Sequence, residues 1–231
     1  MGLKESGVAL ALCAYIAYFA FIWKSCVLFF TLRKTYLQPQ KGPVSKDTPL
    51  TVLKAVRDIF LFSRLFRVNP RLWCAEFFFH AAFVFVILRH LRYVMDPVPV
   101  WVAVLQGPGE LAGYVLVLAL CLIFIFKILV ERKEYVSSQN FFLLGLLFFL
   151  GVTGFIMKMA IRADIVGIKY FMLSVFKLAP AVPPRSGLFV LHYIAALILL
   201  AWLPSHIFAA PFSIMDARKR EESIRLLMHD R

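Results

Sequence analysis

Five histidines stand in the chain, at positions 80, 90, 192, 206 and 229. His80, His90, His192 and His206 fall inside long apolar stretches, where an ionisable side chain is costly and is kept for function. His192 and His206 are fourteen residues apart. On a helix that spacing returns to within about 40° of one face and separates the two by roughly 21 Å. His80 and His90 are ten apart, or roughly 15 Å with about 80° of rotation, which tilt or wrapping must absorb. If the two helices are antiparallel neighbours, His90 faces His192 and His80 faces His206. Two facing pairs of neutral imidazoles at two depths suit the axial positions of two low-spin b-type haems, with no open iron site.

Other readings fit less well. A single metal ion would draw its ligands to one depth. A proton path would bring a chain of membrane carboxylates with it, and no such chain accompanies these residues. An isolated intramembrane histidine bonded to backbone or Ser/Thr explains one such residue better than four.

Ligating imidazoles need a partner on their second ring nitrogen. Glu76, four residues before His80, is a candidate. Haem propionates need cations at the membrane edge. Arg89 and Arg92 flank His90, and Arg162 and Arg185 bound the loop before the last span; these four are candidate propionate or quinone contacts. Arg71 and Arg218 are candidates at the opposite edge. The same arginines could instead snorkel to lipid phosphate. Phenylalanine, at 24 of 231 residues, is abundant enough to line haem and quinone cavities, though most of it is packing or lipid-facing surface.

The elements that must position these residues are five apolar spans. With 61% hydrophobic residues and a mean hydropathy of +0.80, the chain reads as an all-α integral membrane protein. The spans fall at about 7–32, 73–95, 111–130, 140–161 and 187–210. Each is long enough for a ~30 Å hydrocarbon core, and the backbone inside such a core must be helical. Asp96-Pro97 and Pro99 stop the second span, Gly107-Pro108-Gly109 opens the third, and the fifth is entered through Pro183-Pro184 and left at Pro211. One bundle holds all five, so residues 1–231 are expected to form a single domain.

Lys and Arg total 26 against 13 acidic residues, a net charge of +13. The excess crowds 33–71, with Lys41, Lys46, Lys54, Arg57, Arg64 and Arg67 among others, the turn bearing Arg132 and Lys133, and the tail 212–231. By the positive-inside rule the N-terminus is outside and the C-terminus cytoplasmic. No separate basic domain exists to bind nucleic acid. Residues 50–68 read as a basic amphipathic helix on the inner surface. Residues 165–178 could lie similarly on the outer surface, and the tail reads as a cytoplasmic helix or a frayed end.

Cys13, Cys26, Cys74 and Cys121 are scattered, with no Cys-x-x-Cys. This argues against iron–sulfur, zinc or covalent haem attachment by this chain. The first span outruns a signal-peptide core and lacks a convincing cleavage site, so it is expected to be retained.

The chain resembles the gamma subunit of respiratory nitrate reductase and its relatives, including the membrane cytochromes of sulfate reducers' transmembrane redox complexes. The likeness covers nearly the whole length. His80-x9-His90 has the family spacing, and Leu191-His192, Pro204 and His206-Ile207-Phe208-Ala209-Ala210-Pro211 resemble its closing stretch; 127–133 is a weaker match. The Pro204–His206 interval is about one helical turn shorter than in the nitrate reductase subunits, which points to a relative rather than to a nitrate reductase component.

The resemblance implies a di-haem cytochrome b, an electron-transfer subunit of a multi-subunit oxidoreductase in a bacterial or archaeal cytoplasmic membrane. It would exchange electrons between quinone, either menaquinone or ubiquinone, and a cytoplasmic iron–sulfur partner subunit. Iron would be held by His80, His90, His192 and His206. The quinone is expected between the second and third spans near 106–110. The chain carries no catalytic nucleophile or acid–base constellation, so terminal catalysis is expected on another subunit. The alternatives are a histidine-dependent proton or ion transporter and a cofactor-free membrane anchor.

Overall fold

An apolar backbone segment that cannot reach water must satisfy its N–H and C=O groups internally, and the apolar spans among the described residues do so as helices. The computed structural model describes residues 2–37, 49–129 and 138–229, and all regular structure among them is helical. The α-helices are α1 (Gly2–Leu37), α2 (Pro49–Leu61), α3 (Ser63–Val68), α4 (Pro70–His90), α5 (Val100–Val104), α6 (Gln106–Leu129), α7 (Ser138–Ile156), α8 (Ile165–Phe176) and α9 (Gly187–His229). A 3-10 turn at Leu91–Tyr93 follows α4, and a π-turn at Met157–Ile161 follows α7. Five helices, α1, α4, α6, α7 and α9, are long and apolar enough to cross a membrane. Only 22% to 33% of each span is buried within the protein, which leaves most of the apolar side-chain surface for lipid. The chain is a multi-pass membrane protein.

Two expectations about helix ends are corrected. The last span does not end at Pro211: α9 runs through Pro204 and Pro211 to His229. A proline removes one backbone hydrogen bond, but polar pairs rebuild the helix beyond it, Arg220 to Asp216 at 2.7 Å and Arg218 to Glu221 at 3.1 Å. The segment 50–68 is not one helix. Phe62 adopts the left-handed conformation (φ 48°) and separates α2 from α3. The basic residues Lys41, Lys46, Arg132, Lys133 and Arg231 lie outside the described residues.

The chain forms two compact units. The first comprises Met1–Ala17 and Cys74–Leu199. Its core is a seam of α4, α6 and α7, with Ala75, Phe79 and Ala82 meeting Ala112, Leu116, Ala119, Leu120, Ile123 and Leu144. Spacings of three and four put each set on one helix face, and the alanines let the backbones approach closely. The segment expected at 165–178 is a helix, α8, and it is packed within this unit. Asp164 caps it by accepting from the Gly167 N–H at 3.0 Å. Phe171 is fully buried, edge-on to Phe189 and Tyr193 of α9. Tyr15 donates to the Val175 carbonyl at 2.9 Å, and Lys169 pairs with Asp96.

The second unit comprises Tyr18–Trp73 and Leu200–Arg231. Its polar centre is Asp58 of α2, 3% exposed. Arg218 of α9, Arg64 and the Ser63 hydroxyl all bond this carboxylate, and Glu221 binds both arginines. Burial alone would raise the Asp58 pKa. The Arg218 hydrogen bond, the Ser63 hydroxyl and the two guanidinium charges outweigh it and hold the carboxyl below its ordinary 3.8. Arg218 is therefore a clamp between α9 and α2, which replaces its expected role beside a propionate. Leu53 and Phe60 of α2 are 65% and 72% exposed, beside the half-buried Lys54 and the exposed Arg57, in keeping with an amphipathic helix at a lipid surface.

Candidate haem site

Each histidine of α4 bonds the carbonyl four residues back on its own helix. His80 Nδ1 lies 2.7 Å from the Glu76 carbonyl oxygen, and His90 Nδ1 lies 2.6 Å from that of Val86. A carbonyl only accepts, so each Nδ1 carries the proton and donates. The lone pair then sits on Nε2, the nitrogen that would coordinate iron. Glu76 was the expected partner of His80. It serves through its backbone, while its carboxylate stands 3.8 Å away.

His192, half-buried on α9, takes its contact from a different helix. Thr153 Oγ1 of α7 lies 2.8 Å from its Nδ1. Gly154 leaves the imidazole its space: a Cβ there would lie 3.4 Å from His192 Cε1. His90 and His192 lie close enough for the charge on one to be felt at the other. Both belong to the first unit. His80 belongs to the first unit and His206, exposed on α9, to the second.

The cations divide into two groups. Arg89 and Arg92 both lie within electrostatic reach of His90. Arg92 Nη1 is buried with no hydrogen-bond partner among the described residues, and its guanidinium lies 5.4 Å from the Tyr93 ring centroid. A buried, unmatched guanidinium N–H beside an imidazole pair suits a haem carboxylate. The Arg89 stem is held against α6, where a Cβ at Gly109 would come within 2.8 Å of it. Arg162 and Arg185 line a cavity of about 350 Å³ with Asp164, Ser186 and Phe189. Arg185 lies in the bend just before α9, seven residues ahead of His192. Arg162 reaches the cavity from a left-handed backbone position (φ 49°) that closes the π-turn after α7.

No protein-family model matches the chain. It is similar to two curated archaeal proteins that share one name, Hdr-like menaquinol oxidoreductase cytochrome b-like subunit. The protein from Archaeoglobus profundus is 28% identical over 204 residues, which covers 75% of this chain and 60% of that protein. The one from Archaeoglobus fulgidus is 29% identical over 149 residues, 58% of this chain and 45% of that protein. The chain thus spans about half of the length of the curated relatives it matches.

Sequence reasoning missed Thr153, Gly154 and Lys158. The available signal was a lone threonine beside a glycine in an otherwise apolar span, followed by a lysine before the span ends. It also missed the Glu110–Lys158 pair, at 2.6 Å between α6 and α7. Among the described residues no three His, Cys, Asp or Glu side chains gather as a metal site; a bis-imidazole haem needs only two.

Proposed function

We propose that the chain is a membrane cytochrome b subunit that exchanges electrons between the quinone pool and a partner subunit of a redox complex. The observation that carries this is that His90 of α4 and His192 of α9 each have Nδ1 engaged by a hydrogen-bond partner, with the unmatched Arg92 Nη1 two residues beyond His90. Bound there, a b-type haem supplies one-electron transfer with no open coordination site. The chain's own residues would orient the imidazoles, meet the propionates through Arg92 and either Arg162 or Arg185, and exclude water with aromatic side chains. By the sequence register alone, His80 and His206 hold a second haem b.

The similarity to two proteins named as menaquinol oxidoreductase subunits supports menaquinol as the quinone. A quinol headgroup near Glu110 would be next to Arg89, which lies within electrostatic reach of both Glu110 and His90. The positive-inside pattern supports an outside N-terminus and a cytoplasmic dock for an iron–sulfur partner, formed by the basic residues of α2, α3 and the end of α9. The site lies in a prokaryotic cytoplasmic membrane in this reading.

Purified protein tests it by pyridine haemochrome assay. Two haems b per chain are expected, with His90→Ala and His192→Ala each losing the same one. A chain that binds no haem in membranes where a control cytochrome b is loaded defeats the proposal.

A further inference from the structure

We infer that Thr153 is the positioning residue that fixes the tautomer and ring plane of His192. This rests on the haem reading above. Thr153 is 4% exposed, in the last turn of α7. Its hydroxyl has one hydrogen, and two acceptors of its own helix stand ready for it, Phe149 O at 2.8 Å and Leu150 O at 3.1 Å. With the hydrogen committed to the backbone, Oγ1 faces His192 Nδ1 at 2.8 Å with a lone pair. Nδ1–H therefore donates to Thr153, and Nε2 is left as the coordinating atom.

The arrangement differs between the two histidines of the pair. His90 donates to a carbonyl four residues back on its own helix, so its orientation is set within α4. His192 depends on a neighbouring helix, so its orientation follows the packing of α7 on α9. Gly154, next in sequence, keeps the space beside the ring open. Donation from Nδ1–H makes an imidazole a more basic ligand, and a more basic axial ligand favours oxidised over reduced iron. Loss of the Thr153 acceptor should then raise the reduction potential of the haem held by His192, and of that haem alone.

The test is optical redox titration with electron paramagnetic resonance on purified full-length protein, comparing the wild type with T153V and T153S. Valine keeps the shape and removes the acceptor; serine keeps the acceptor. The expected result is an upward shift of one of two haem components in T153V, a changed low-spin signal for that component, and near-wild-type behaviour in T153S. The unshifted haem is the internal control. Two loaded haems with identical titrations in wild type and T153V overturn this inference and leave the haem reading standing. An equal shift in T153V and T153S overturns it too, because packing rather than the hydrogen bond is then the cause. Failure of the wild type to hold haem removes the haem reading and this inference together.

Discussion

Lys158 Nζ stands 2.6 Å from Glu110 Oε1 and ties the end of α7 to the start of α6. Lys158 lies in the π-turn Met157–Ile161 that follows α7. Tyr114, one turn after Glu110, donates its hydroxyl to Met159 Sδ at 3.5 Å, a second link to the same turn. An ion pair at a span's end is an ordinary anchor, but this one carries the carboxylate at 106–110 where a quinol would need a proton acceptor.

Glu110→Gln is expected to keep both haems and slow reduction of the protein by a menaquinol analogue about 100-fold, the scale of a lost general base. Stopped-flow absorbance at the haem bands measures this. An anchor role alone would leave the rate at the wild-type value.

Arg92→Gln should loosen the haem at His90 and His192. A charge-assisted hydrogen bond contributes about 1.5–3 kcal/mol, so haem transfer to apomyoglobin is expected to be about 10-fold faster or more. The Arg89 stem is wedged against Gly109. Gly109→Ala would displace that stem, with a smaller effect on haem retention because Arg92 is untouched.

Gly154→Leu should abolish the haem at His192 and leave the second haem, read as half the wild-type haemochrome absorbance. Gly154→Ala should retain both, since its Cβ meets His192 Cε1 at 3.4 Å, ordinary van der Waals contact, and alanine favours the helix by about 1 kcal/mol.

Asp58 gives the protein an acid limit. Its folded pKa is below 3.8, so its ion pairs stabilise the fold fully above that value and lose their contribution as pH falls through the folded pKa. The melting temperature in detergent is expected to hold as pH drops to about 4 and to fall below it. Asp58→Asn should lower stability near neutral pH by about 1–3 kcal/mol through the unpaired Arg218 and Ser63 groups, and should flatten the acid drop. A parallel acid drop in Asp58→Asn would assign the transition to other carboxylates.

Much of this was written in the sequence. Five spans follow from hydropathy because a helix is the only state that satisfies an apolar backbone in lipid, and the described helices cover all five. Register also supplies the expected pairing of His90 with His192, since about 1.5 Å per residue converts spacing into depth. Other features were not legible, because each depends on residues from different helices. The proline at 211 gave a helix end that polar pairs beyond it abolished, and the left-handed Phe62 split a helix that hydrophobic periodicity had drawn as continuous. Arg218 looked like a free cation until Asp58, 160 residues away, was seen to hold it. Spacing along one chain fixes depth and face; only packing decides which side chain, Thr153 on α7 or Glu110 on α6, completes a group that another helix presents.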